Sequence, residues 1–124
     1  MLLRALSPEA RTTPNLPNPA LYQYPVTTNE LMRTYQKRWE EAESQGLEML
    51  KRFAEEAELV SVSAEFSQNI GRAERVICTI AKDWQADLIV IRQPIHSKLD
   101  ELFVGSVSNY VLHHAPCSIL TVVV

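Results

Sequence analysis

Near the end of the 124-residue chain, His113, His114 and Cys117 bring metal-ligating side chains close together. A zinc site takes three or four protein ligands in closed geometry, and no further cluster accompanies these. Adjacent histidines also leave a helix in different directions, and basic groups in a last helical turn gain from its dipole without any metal. No metal is expected. Cys78 stands beside Ile77 and Ile80, where a small apolar side chain suits a core, and Cys117 opens the final apolar run. Neither has the basic sequence neighbour that marks a reactive thiolate. Asp83, Asp87, Asp100 and Glu101 are carboxylates of the kind used for general acid/base work, which needs a substrate or nucleophile held between them. Their spacing supplies neither, and Asp83 and Asp87 read as a helix end and a solvated strand start. Ser106 and His113 stand too far apart along one helix to serve as nucleophile and base. No catalytic constellation emerges, and the chain is read as non-enzymatic.

These side chains depend on the elements that carry them. Leu2-Leu3-Arg4-Ala5-Leu6, stopped by Ser7-Pro8, predicts a strand. Residues 7–27 hold five of the seven prolines, Pro8, Pro14, Pro17, Pro19 and Pro25, which excludes helix or central strand there. Leu16, Leu21, Tyr22 and Tyr24 give this loop apolar content. They fit packing on its own domain and equally fit a contact arm for a second subunit. Thr27 followed by Glu30 reads as a capping box. From it Leu31, Tyr35, Trp39, Ala42, Gly46, Met49, Leu50, Phe53 and Ala57 recur in steps of three and four. They form one face of a helix of about eight turns, with charges mainly elsewhere. Gly46 inside it implies close packing, since glycine costs a helix about 1 kcal/mol relative to alanine.

Val60 to Phe66 alternates apolar and polar, as a half-exposed edge strand does. Gly71 opens a second helix carrying Val76, Ile77, Ile80, Ala81 and Trp84. Asp87-Leu88-Ile89-Val90-Ile91 lacks alternation, which suits a central parallel strand covered on both faces. Residues 98–114 read as helix in two pieces broken at Gly105 and closed by Pro116. Cys117 to Val124 is a last strand. The order β-loop-α-β-α-β-α-β implies a three-layer α/β class with a parallel sheet and right-handed crossovers.

At 14.1 kDa the chain fits one domain, residues 1–124. A hydrophobic share of 46% with 22% charged residues is globular. Twelve Lys+Arg against fifteen Asp+Glu leave a net charge of −3, which argues against nucleic-acid binding by phosphate neutralisation. No apolar run reaches the roughly 18–20 residues of a membrane span, and Met1 to Arg4 lacks the features of a signal peptide. A cytoplasmic protein with no membrane partner is expected.

The C-terminal third resembles the universal stress protein family. The likeness rests on the strand Asp87 to Ile91, on Gly105-Ser106-Val107-Ser108-Asn109-Tyr110-Val111-Leu112-His113-His114-Ala115-Pro116-Cys117-Ser118, and on the terminal strand to Val124. Upstream, Leu2 to Pro8 resembles the family's second strand and Asn69-Ile70-Gly71 the entry to its third helix. The resemblance implies a flavodoxin-like, adenine nucleotide alpha hydrolase-like fold with five parallel strands in the order 3-2-1-4-5. It also implies ATP binding through a Gly-x2-Gly-x9-Gly-Ser/Thr loop after the fourth strand. Glycines there let backbone N–H groups reach phosphate oxygens, and the next helix aims its positive end at the anion. On this likeness the nucleotide contacts would come from Ala5, Arg92, Gly105, Ser106, Val107 and Ser108.

Two departures qualify that expectation. Arg92 and Ile95 occupy the two earlier glycine positions, and Pro94 between them lacks an N–H donor. ATP is the one cofactor implied, and its site is only half present. Gly105, Ser106 and Ser108 still suit an anion at a helix N-terminus, although Ser106 reads at least as well as an ordinary N-cap. Moreover, the family's opening strand and first helix have no counterpart. The strands flanking that gap would stand two spacings apart, about 9.6 Å at roughly 4.8 Å each. They pair directly, another chain fills the gap, or the fold rearranges. Met1 is either internal to a longer reading frame or the start of a short variant. Loss of a covering helix bares apolar sheet, and Ile119 to Val124 would form a sheet edge of the kind that family uses to dimerise, so a homo-oligomer is expected. The expected function is a non-catalytic stress-response protein with weak or lost ATP binding. The alternatives are a nucleotide switch completed by another subunit and, last, a weak ATPase.

Overall fold

The computed structural model describes residues 1–7, 14, 25–93 and 105–123. Its elements are β1 (Leu2–Leu6), α1 (Pro25–Leu59), β2 (Phe66–Ile70), α2 (Ala73–Asp83), β3 (Leu88–Gln93), α3 (Ser106–His114) and β4 (Ser118–Val123). Strands and helices alternate as the sequence periodicity requires. The chain divides into two compact units, Met1–Arg72 and Ala73–Val124.

In the first unit β1 and β2 pair in parallel, with Leu2 opposite Phe66, Arg4 opposite Gln68 and Leu6 opposite Ile70. The Gly71 N–H prolongs the ladder by donating to the Leu6 carbonyl at 3.0 Å. Gly71 does so at φ 148°, a conformation that side chains rarely adopt. Alternation puts Arg4 and Gln68 on one face of the ribbon, and α1 packs on both strands. Arg4 Nη1 donates to Gln68 Oε1 at 2.7 Å and to the Ala42 carbonyl of α1 at 3.0 Å. Gln68 Nε2 donates to the Glu43 carbonyl at 3.0 Å. One turn further on, a Cβ at Gly46 would overlap both the Arg4 guanidinium and the Gln68 side-chain oxygen. The glycine is there for close approach.

Leu6, Leu50 and Ala54 are the buried apolar residues described in this unit. The apolar stripe of α1 holds in outline, with Leu31, Tyr35, Trp39, Ala42 and Ala57 half-buried. Met49 and Phe53 are exposed instead, and Ala54 takes the inner position. Gly46, Leu50 and Ala54 follow a straight i+4 row, whereas Met49 and Phe53 fall to one side of it. The helix begins at Pro25, so Thr27 lies inside it rather than capping it. Proline suits a first position, where the N–H has no intrahelical partner. At 35 residues α1 is about 52 Å long, while each five-residue strand spans about 17 Å.

The strand expected over Val60–Phe66 begins only at Phe66. The residues before it are spent closing α1: the Val62 N–H bonds the Ala57 carbonyl at 3.0 Å and the Ser61 N–H bonds that of Glu58 at 2.9 Å. This is a Schellman motif with Ser61 at φ 61°.

In the second unit β3 and β4 pair in parallel, Leu88 opposite Ser118 through Gln93 opposite Val123. Helices α2 and α3 pack on each other, with Ala81, Ser108 and Val111 buried. Helix α2 closes like α1: the Ala86 N–H reaches the Ala81 carbonyl at 2.9 Å, with Gln85 at φ 56°. Trp84 therefore lies past the helix end and is exposed, outside the stripe assigned to it. Strand β3 is not covered on both faces, since Leu88 and Val90 are exposed while Ile89 and Ile91 are half-buried. Its one strand neighbour among the described residues is β4, and that of β1 is β2. Of the helix expected over 98–114, the second piece is α3 and the first lies outside the described residues, as does most of the 7–27 loop.

Candidate functional site

The sequence concentrates its binding candidates at the start of α3. Gly105 is the N-cap at φ −53° and ψ 154°, and no side chain caps the helix. The first helical bond runs from the Asn109 N–H to the Gly105 carbonyl at 2.8 Å. Ser106 is thus the first helical residue and not the N-cap expected of it. The residue before it has the extended ψ that an N-cap requires, and Ser106 itself already has helical geometry. The N–H groups of Ser106, Val107 and Ser108 are left by that geometry without an intrahelical acceptor. Ser106 is exposed, Val107 half-buried and Ser108 buried. A Cβ at Gly105 would meet no atom within 4 Å. N–H groups without an intrahelical acceptor at the positive end of a nine-residue helix are of the kind that suit an anionic oxygen.

Arg92 is exposed near the end of β3, opposite Val122. Its guanidinium is a cation in the same unit as the α3 terminus. Ala5 belongs to the other unit, half-buried in β1 opposite Asn69, whose Nδ2 donates to Ser67 Oγ at 2.7 Å. Pro94 and Ile95 lie outside the described residues. Arg92 and the start of α3 belong to one unit and Ala5 to the other.

The remaining candidates are placed as follows. Burial, reinforced by Cys117 nearby, pushes the Cys78 thiol above its ordinary value of 9.0, so it stays protonated at neutral pH and is a poor nucleophile. Both cysteines are free and half-buried. His114 stacks on Tyr110 with ring centroids 3.9 Å apart, and its Nδ1 lies 2.8 Å from the Tyr110 carbonyl. That geometry gives the histidine a structural partner at the end of α3. Among the described residues no three His, Cys, Asp or Glu side chains gather as metal ligands. Asp83 ends α2 and Asp87 precedes β3, both exposed, while Asp100 and Glu101 lie outside the described residues. Ser106 and His113 sit seven positions apart on α3, about 10 Å of helical rise, too far for direct proton transfer. No described helix is long and apolar enough to cross a membrane. The Arg4–Gln68–Gly46 contact escaped the sequence reading, where only Gly46 signalled close packing.

Comparison with known proteins agrees with this anatomy. The family model described as "Universal stress protein family" matches residues 10–123. The universal stress protein Slr1101 of Synechocystis is 35% identical over 100 residues, covering 80% of this chain and 93% of that protein. Sll1388 of the same organism is 37% identical over 83 residues, 67% of this chain and 54% of that one, so the chain spans about half of this second relative. Among solved structures, the universal stress protein UspA from Lactobacillus plantarum is similar at 23% identity and a TM-score of 0.49, covering 97% of this chain and 74% of that one. The fold class is the three-layer, flavodoxin-like α/β class of the matched family, and parallel strands alternating with helices are what it requires. With nearly all its residues under that family model and a third of its aligned residues shared with a relative of similar length, the chain belongs to the universal stress protein family.

Proposed function

We propose that the chain is a non-catalytic, cytoplasmic stress-response protein that acts through self-association and has weak or lost ATP binding. Family membership supports the stress-response role. The observation that carries the loss of binding is the pair of residue types at positions 92 and 95. Arg92 and Ile95 stand where phosphate-binding glycines are expected, and a β-branched residue blocks close backbone approach. Among the described residues the α3 terminus supplies donors suited to one anionic group, which is less than a triphosphate nucleotide needs for tight binding. Calorimetric titration of the full chain with ATP is expected to give no affinity tighter than micromolar. A sub-micromolar dissociation constant overturns this reading.

One observation favours a second reading, a nucleotide-responsive switch whose site is completed by another subunit. The α3 terminus has no side-chain cap and opens onto free space at Gly105. Nucleotide retained through purification of an oligomer, and lost from its monomer, is the expected sign of that switch.

A further inference from the structure

The bonds at the two ends of the β1–β2 ladder fix which way each backbone group of β2 points. The Leu2 N–H donates to the Glu65 carbonyl at 2.7 Å, and the Gly71 N–H to the Leu6 carbonyl at 3.0 Å. In a parallel pair the residues that bond a given neighbour alternate, so the backbone groups of Glu65, Ser67, Asn69 and Gly71 face β1. The N–H and C=O groups of Phe66, Gln68 and Ile70 point the other way, to the outer edge of β2. Strand β1 is the one strand neighbour of β2 among the described residues. At the two ends of that edge Phe66 is 41% exposed and Ile70 64%. A row of main-chain donors and acceptors between exposed apolar side chains is a template for one more strand.

Helix α1 flanks this edge and sets its charge. Gln68 of β2 donates to the Glu43 carbonyl, whereas Arg4 of β1 donates to that of Ala42, so Glu43 marks the β2 side of the helix. Glu40, three residues earlier, and Leu47, four later, share that side, and all three are exposed. The next residue along it, Lys51, has the Glu55 carboxylate 3.9 Å away.

We propose that the outer edge of β2 takes an extended segment of a partner protein as an added strand, with lysine or arginine alternating with apolar residues. The edge demands the extended backbone, since a strand is what meets alternate N–H and C=O groups in register. Alternation then turns every second side chain of the guest toward the α1 side, where Glu40 and Glu43 favour a cation. The same charges select against a second copy. Two β2 edges paired antiparallel about a two-fold axis would carry both α1 helices on one face, setting acidic flank against acidic flank.

Fluorescence anisotropy of the full chain with a labelled heptapeptide of alternating lysine and valine tests the proposal, beside a glutamate–valine peptide of the same length. The lysine peptide is expected to bind, less tightly as salt rises, and the glutamate peptide at least tenfold more weakly. Ile70→Pro deletes one outward N–H and no ladder bond, because the Ile70 N–H points away from β1. Against Ile70→Ala, which keeps that N–H, it is expected to lose roughly tenfold or more in affinity for the lysine peptide. Glu40→Lys combined with Glu43→Lys is expected to reverse the preference between the two peptides, which keeps the proposal testable should Ile70→Pro fail to fold. Equal affinity in Ile70→Pro and Ile70→Ala overturns the edge, and equal binding of the two peptides overturns the charge selection. Self-association that sedimentation equilibrium finds abolished by Ile70→Pro but kept in Ile70→Ala overturns the choice of guest in favour of a second copy. An unaltered chain that does not bind the lysine peptide overturns the proposal outright.

Discussion

Arg4 is a cation whose described bonds run to neutral acceptors, the Ala42 carbonyl and the Gln68 side chain. Such bonds to a charged donor contribute about 1.5–3 kcal/mol each, provided the geometry is kept. Gly46 keeps it by offering no Cβ. Gly46→Ala forces the guanidinium and the Gln68 amide aside, while alanine's helix propensity returns about 1 kcal/mol. The expected net loss is about 1–2 kcal/mol in urea unfolding, with the larger bond energies partly kept by side-chain rearrangement. In an Arg4→Ala/Gln68→Ala background the same Gly46→Ala should become neutral or stabilising. An equal loss in both backgrounds would show that the cluster does not couple to Gly46. Little of this contact was legible beforehand. Arg4 and Gln68 are 64 positions apart and each looks like an ordinary polar strand residue. Only the lone glycine in a strong helical pattern betrayed that something comes close.

Helices α1 and α2 both stop in Schellman motifs without glycine, using Ser61 and Gln85 in the left-handed region. A non-glycine residue pays about 1 kcal/mol there. Gln85→Gly should therefore raise stability by about 0.5–1 kcal/mol, read as a higher thermal midpoint with an unchanged circular dichroism spectrum. A lower midpoint would mean that the Gln85 side chain does more than tolerate its conformation. The missing glycines also explain which element boundaries the sequence hid. The order of strands and helices followed from periods of two and 3.6, and the structure keeps it. The stop of α1 carried no glycine signal, so Val60 and Val62 looked like strand residues. Trp84 was joined to the α2 stripe for the same reason. The unbroken apolar run of β3 suggested cover on both faces, because hydrophobicity reports a need for burial without showing which neighbour meets it.

Across the whole molecule the buried apolar core among the described residues is thin: Leu6, Leu50 and Ala54 in one unit, Ala81 and Val111 in the other. Amide hydrogen exchange should be slowest around these positions, in the middle of α1 and where α2 meets α3. If the slowest amides of α1 lay instead between Leu31 and Trp39, the Arg4–Gln68 contact would not be its anchor. The family and its fold class were legible because the 105–118 stretch is distinctive as sequence. Of the candidate residues, Gly105, Ser106 and Ser108 come together at the start of α3 because local spacing alone places them there. The longest element carries a consequence of its own. A helix of 35 residues on strands of five must overhang its ribbon at an end. In the Leu31–Trp39 stretch the side-chain contacts given lie one turn apart, Thr34 to the Glu30 carbonyl, Gln36 to Glu40 and the Tyr35–Trp39 edge contact. Natural drift can therefore rewrite the outer surface of that stretch at a few tenths of a kcal/mol per change, while the turns around Gly46 stay frozen.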